Sequence, residues 1–158
     1  MSKKLLSKKF YDEMAKLESR YPTKVALLLP ALHAAQDEFS WLPPEVLDEI
    51  GVYIGIHPAQ VREVASFYTM YNLKPVGKYH LKICTNVACI LRGAEDLVKH
   101  CEKKFDIVCG ETTRDQKFTL MEEECLGACG TAPAMMLNHD YHENLDISKL
   151  DQLIERLE

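Results

Sequence analysis

Tyr79-His80-Leu81-Lys82-Ile83-Cys84-Thr85-Asn86-Val87-Ala88-Cys89 is where this sequence changes its periodicity. Tyr79, Leu81 and Ile83 alternate with His80 and Lys82, the period of a half-buried strand, and the strand ends on Cys84. With Cys89 close behind, a strand end presents two thiols at a Cys-x4-Cys spacing. A second pair, Cys125-x3-Cys129, follows after 35 intervening residues. Both pairs read as strand-to-loop transitions, where open α/β sheets gather their ligand sites. The second pair lies in Cys125-Leu126-Gly127-Ala128-Cys129-Gly130-Thr131-Ala132-Pro133, a run of small residues. There Gly127 and Gly130 let the backbone turn sharply and bring main-chain N–H groups toward sulfur.

Four thiolates delivered two by two suit a two-iron, two-sulfide cluster, because each iron completes a tetrahedron with two protein sulfurs. A structural zinc site also uses four cysteines, but zinc motifs favour two intervening residues, against four and three here. Disulfide or thiol chemistry is the third possibility. A plant-type ferredoxin needs a further cysteine three residues beyond Cys89, and that position is Arg92. No C-x-x-C is present for a thioredoxin-type redox pair. Cys101 and Cys109 sit in apolar runs and read as packing residues, since buried free cysteine behaves as a small hydrophobe. His33, His57, His80, His100, His139 and His142 are scattered, with no spacing to the cysteines that suggests a Rieske-type pair. Glu122-Glu123-Glu124 reads as a solvated strand end, although its charge would disfavour adding an electron nearby.

Outward from Cys89, Ala94, Leu97, Val98, Cys101 and Phe105 form a helical stripe. Ile107-Val108-Cys109 reads as a strand and Lys117–Met121 as another, after a turn at Arg114-Asp115-Gln116. Ala134–Leu137 is a short buried run with a turn at Asn138-His139-Asp140, and Ser148-x-x-Asp151 reads as the capping-box start of a last helix through Leu150, Leu153, Ile154 and Leu157. The first 70 residues are helical instead. Apolar stripes run through Phe10, Met14, Leu17 and Tyr21, then Val25, Leu28, Leu29, Leu32 and Phe39, then Val46, Leu47, Ile50 and Ile54, then Val61, Val64, Ala65 and Tyr68. Proline and glycine punctuate them. Pro30 should kink the second helix unless that helix begins near it. The expectation is a helical bundle over residues 1–76 and a small α/β domain over 77–158.

With 47% hydrophobic residues the chain can bury a core without disulfides. The basic start has no apolar run for a signal peptide, and no stretch reaches the length of a membrane span, so a cytoplasmic setting is expected. Residues 77–158 hold the whole net charge of −5, which speaks against nucleic-acid binding. No G-x-G-x-x-G or Walker pattern offers a nucleotide loop. Trp41, Phe67, Tyr68 and Tyr71 are read equally as packing and as partner contacts.

Beyond these readings, the chain resembles the thioredoxin-like [2Fe-2S] ferredoxin family, the 24-kDa subunit type of respiratory complex I. The strings that carry the resemblance are Leu29-Pro30-Ala31-Leu32-His33-Ala34-Ala35-Gln36, Val61-x-x-Val64-Ala65-x-Phe67-Tyr68 and Pro75-x-Gly77-x-Tyr79, with both cysteine pairs and Ala132-Pro133. The resemblance implies a thioredoxin-like domain behind a helical extension, a cis Pro133, and one [2Fe-2S] cluster. Cys84 and Cys89 would hold one iron, and Cys125 and Cys129 the other. It implies a one-electron carrier with no catalytic residue or substrate site of its own, in an NADH:quinone oxidoreductase peripheral to the inner face of the membrane. Its partners would be a flavoprotein subunit carrying FMN and NADH and a larger iron-sulfur subunit. The same chain could serve a soluble NAD-linked hydrogenase or formate dehydrogenase; a zinc-stabilised interaction module is the alternative from another class. The family's Asp-Gly-Lys turn is Asp115-Gln116-Lys117 here, which puts that turn's geometry in question.

Overall fold

Prolines open two of the four N-terminal helices. In the computed structural model, which describes residues 4–157, helix α1 spans Lys8–Glu18, α2 Leu28–Phe39, α3 Pro44–Ile54 and α4 Pro58–Phe67. The start of the basic N-terminal stretch, where no signal peptide was expected, lies outside the described residues. Pro44 and Pro58 are first residues of their helices, where a missing N–H costs nothing. Pro30 is the third residue of α2, still within the turn whose N–H groups have no intrahelical acceptor, so its presence is tolerated there. A 3-10 turn over Lys24–Leu27 precedes it, and Val25 and Leu29 are exposed rather than core. Tyr21 and Tyr68 likewise lie beyond the ends of their helices and are exposed. His57, which carried no assignment, caps α4: its Nδ1 accepts from Ala59 N–H, and Gln60 Oε1 accepts from His57 N–H, each at 3.2 Å.

These helices belong to the first of two compact units, Met1–Pro75. Phe10, Met14, Leu27, Leu32, Leu42 and Ile50 are its largest fully buried side chains. Glu49 ties α3 to the chain start, accepting from Leu5 N–H at 2.8 Å and Tyr11 OH at 2.6 Å. Gln36 on α2 clips down the segment after α4, donating to Met70 O at 2.9 Å and accepting from Asn72 N–H at 2.6 Å.

The second unit, Val76–Glu158, is a four-stranded sheet with helices. Strand β1 (Tyr79–Cys84) pairs parallel with β2 (Phe118–Glu123) and antiparallel with β3 (Met135–Leu137), which pairs with β4 (Asp140–His142), giving the order β2-β1-β3-β4. Helix α5 (Val87–Leu91) and α6 (Ala94–Phe105) connect β1 toward β2, and α7 (Ile147–Glu155) ends the described chain. Leu81, Ile83 and Leu120 pack with Leu97, Val98 and Cys101 of α6 and with Leu150 and Ile154 of α7. Asp151 Oδ1 clamps the two helices, meeting His100 Nε2 at 2.9 Å and Lys104 Nζ at 2.5 Å.

Four expectations need correction. Ile107-Val108-Cys109 is not a strand but irregular chain leading into a turn at Cys109-Gly110, where Gly110 takes a φ of +94°; the segment after it runs along β2 instead, with Gly110 N–H on Leu120 O at 2.7 Å. The cap of α7 is Asp146, accepting from Lys149 N–H at 2.8 Å, not Ser148 with Asp151, which serves as the clamp. Cys89 sits on a short helix rather than in a loop. Nor is β1 half-solvated: it lies between β2 and β3, and His80 is only 7% exposed with no partner for its Nε2. The turn before β2 does form, with Gln116 left-handed at φ +58°. Thr113 holds it: its Oγ1 accepts from Lys117 N–H at 3.2 Å and Phe118 N–H at 3.0 Å and donates to Asp115 Oδ1 at 2.5 Å. Among the described residues no helix is long and apolar enough to cross a membrane.

Gly77→Ala should destabilise the second unit by about 1–3 kcal/mol, because its Cβ would stand 2.9 Å from the Lys117 and Phe118 backbone, which cannot swing aside. Urea unfolding measures this, and an unchanged midpoint would contradict the close approach. Burial, helped by the Lys82 ammonium, pushes His80 down to about 4. An unfolded histidine titrates near 6.5, so the stability held by neutral His80 is complete above that pH. It should fall by at most about 3 kcal/mol as the pH drops from about 6.5 toward 4, and no further below. NMR titration of the histidine ring protons tests this; a His80 midpoint above 6 would refute it.

Candidate metal centre

Parallel pairing brings the cysteine pairs together. Because β1 and β2 run the same way, with Cys84 in register with Glu123, the chain leaves both strands at the same end of the sheet. Cys84 is the last residue of β1, and its N–H donates to Ala134 O at 3.0 Å. Asn86 then caps α5, which turns Cys89 inward, and both thiols of this pair are buried. After β2 the chain passes Cys125, turns at Gly127 with φ +73°, and forms a 3-10 turn over Cys129–Thr131. It then enters β3 through a cis Ala132–Pro133 bond, as the resemblance implied. Cys125 and Cys129 are exposed, so the site is buried on one side and open on the other.

Cys84 lies beside Cys89 of its own pair and Cys125 of the other, and Cys89 also feels the charge of Cys129. Burial pushes the Cys84 thiol up, but the Asn86 and Leu126 N–H groups and the neighbouring thiols outweigh it, and the net shift is downward. Burial prevails at Cys89, which is raised despite the Ala134 N–H. Gly127 N–H donates to Cys125 Sγ at 3.3 Å. Donors aimed at sulfur favour its anionic form, the form that binds metal. Among the described residues no group of three or more His, Cys, Asp or Glu side chains is arranged to hold a single ion. A two-iron cluster asks instead for two pairs set apart, and two pairs of thiols fringed by N–H donors are a donor set that fits it.

The remaining candidates lie elsewhere. Cys101 is wholly buried, with its thiol pushed up to about 12 by burial and the nearby Asp151. Cys109 is half-buried and points its Sγ at Leu120 O, 3.9 Å away. Of the acidic run, Glu123 pairs with Lys82 at 3.9 Å while Glu122 and Glu124 are exposed. Sequence reasoning missed Asn86, although an Asn directly before a short apolar run is a recognisable cap signal.

Residues 14–158 match the thioredoxin-like [2Fe-2S] ferredoxins, and the chain belongs to that family. Among its relatives, an E-type NADH-quinone oxidoreductase subunit of Rhizobium meliloti is 44% identical over 144 residues, covering 91% of this chain and 86% of that protein. The corresponding NADH-quinone oxidoreductase subunit of Rickettsia conorii is 45% identical over 142 residues, covering 88% and 85%. Among solved structures, an NAD+-reducing [NiFe]-hydrogenase in the air-oxidized state superposes with a TM-score of 0.74 at 29% identity. That match covers 83% of this chain but only 22% of the hydrogenase chain, so this protein spans about a fifth of it.

Thiol exposure makes a direct prediction for the metal-free chain. Iodoacetamide at pH 8, followed by peptide mass spectrometry, should label Cys125 and Cys129 first and Cys101 last. With its thiol near 12, Cys101 should react at least about a thousandfold more slowly than an ordinary exposed cysteine. Early labelling of Cys101 would contradict its place in the core.

Proposed function

We propose that this chain is a one-electron carrier subunit of an NADH:quinone oxidoreductase, holding one [2Fe-2S] cluster on Cys84, Cys89, Cys125 and Cys129. The observation that carries the reading is the convergence of two cysteine pairs, 35 residues apart in sequence, at one end of the sheet's strands. Membership of the family and the names of the NADH-quinone oxidoreductase relatives support it. Such a cluster, when bound, takes up and releases electrons one at a time. The protein's share is to hold sulfur in fixed positions, to stabilise its charge and to leave one side accessible. Cys84 and Cys89 would hold one iron, and Cys125 and Cys129 the other. The N–H groups of Asn86, Leu126, Gly127 and Ala134 stabilise negative charge on sulfur, while exposed Glu122 and Glu124 oppose added charge.

FMN and NADH are assigned to a partner flavoprotein, with a larger iron-sulfur subunit in the same assembly, on the cytoplasmic face of the membrane. Docking is assigned to residues 1–72 and the cluster to 77–158. Phe67 is 77% exposed and stands edge-to-face with Tyr68, 5.0 Å between ring centroids, an exposed aromatic pair of the kind that anchors interfaces. A second reading, the same role in an NAD-linked hydrogenase, is favoured by the hydrogenase structural neighbour.

Anaerobically prepared protein should carry about two irons and two acid-labile sulfides per chain. Replacing any of Cys84, Cys89, Cys125 or Cys129 by Ala should empty or cripple the site, while Cys101→Ala and Cys109→Ser should keep it at a packing cost of about 1–2 kcal/mol. Iron and sulfide assays decide; stoichiometric zinc without sulfide would support an interaction module instead. Phe67→Asp should leave iron content unchanged and weaken binding to the flavoprotein subunit at least about tenfold. Undiminished binding would remove docking from this surface.

A further inference from the structure

One side chain joins the two cysteine loops. Asn86 stands just after Cys84 and directly before α5. Its Oδ1 accepts from Val87 N–H at 3.0 Å, and its Nδ2 donates to Glu124 O at 2.9 Å, next to Cys125. The amide orientation is set by its partners: an N–H only donates and a carbonyl only accepts, so a flipped amide would face like with like at both ends. The same residue's backbone N–H is one of the groups that favour the thiolate of Cys84.

This bond lies where main-chain pairing gives out. The β1–β2 register ends at Cys84 with Glu123, and a last backbone bond runs from Thr85 N–H to Glu123 O at 3.0 Å. Beyond it the chain turns into α5 on one side and into the Cys125–Cys129 loop on the other. The Asn86–Glu124 bond carries the tie one residue further on each side, to the position adjoining Cys125. From the opposite flank, Tyr141 OH on β4 holds the same loop through Leu126 O at 3.2 Å.

We propose that Asn86 is a positioning residue whose amide sets the separation between the Cys84–Cys89 and Cys125–Cys129 loops; this rests on the assignment of those four cysteines as ligands. The residue type fits the task. Ser and Asp cap helices about as well as Asn, but among these only Asn also offers a side-chain N–H able to reach across to a carbonyl. Capping alone therefore does not require an amide here, and bridging does.

The test compares full-length wild type, Asn86→Ser, Asn86→Asp and Asn86→Ala, each reconstituted anaerobically with iron and sulfide. Ser keeps the cap and loses the bridge, so its thermal midpoint should stay near wild type. Its iron should nonetheless pass to a chelator at least about tenfold faster, the loss typical of removing a group that orients a ligand. The reduced protein should also show an altered EPR line shape. Asn86→Asp, isosteric and a good cap but with an acceptor facing Glu124 O, should lose iron faster as well and carries the comparison if the serine variant folds poorly. Asn86→Ala should lose both iron retention and thermal stability. Wild-type iron retention and an unchanged line shape in the serine and aspartate variants would overturn the proposal while leaving the ligand assignment intact. Wild-type protein that takes up no iron would overturn both.

Discussion

Parallel pairing of β1 with β2 is the constraint on which the rest of the second unit depends. Antiparallel neighbours would send the residues after Cys84 and those after Glu123 to opposite ends of the sheet. Parallel neighbours send them to the same end, and the register of Cys84 with Glu123 places them at the same height. Such pairing demands a crossover, and the chain supplies α5 and α6 for it. The first helix of that crossover is used twice, since it also turns Cys89 inward. β3 then starts from the same end, where Ala134 O accepts from Cys84 N–H.

That arrangement leaves the cysteine pairs in different surroundings. Cys84 and Cys89 are buried and backed by a sheet and a helix, whereas Cys125 and Cys129 lie on an exposed loop of small residues. The buried pair shows both outcomes of burial, with Cys84 lowered by N–H donors and Cys89 raised in spite of one. Desolvation alone would have raised both; Cys84 meets two main-chain donors against one at Cys89, and the hydrogen bond between the two thiols lowers Cys84 while raising Cys89.

How much of this could be read in the sequence follows from where periodicity carries the information. The stripes Phe10–Met14, Val46–Leu47–Ile50–Ile54 and Leu97–Val98–Cys101 are helical and buried because long amphipathic segments repeat the signal several times. The cysteine spacing pointed to four thiols as the candidate donor set, since ligand chemistry is local. Short elements were less legible. Helix α5 has too few residues to show a period, and Ile107-Val108-Cys109 looked extended because apolar composition does not register the left-handed Gly110 that follows. His80 is polar and alternates correctly, yet it is buried, because shielding by the rest of the fold is a tertiary property that no strand pattern encodes. The cap of α7 was displaced by two residues since Asp146 and Ser148 are both competent caps and only geometry chooses between them.

The turn that leads into β2 shows where mutational tolerance resides in such a structure. Gln116 is held left-handed, which costs a non-glycine residue about 1 kcal/mol, and its own side chain adds only one long bond, from Nε2 to Thr113 O at 3.5 Å. The geometry is imposed by the buried Thr113 hydroxyl, with Asp115 Oδ1 also accepting from Lys117 N–H at 3.0 Å. A turn built on glycine is vulnerable at the glycine. This one has moved much of its dependence three residues upstream: position 116 still favours residues that accept a positive φ, but the hydroxyl that fixes the turn belongs to Thr113.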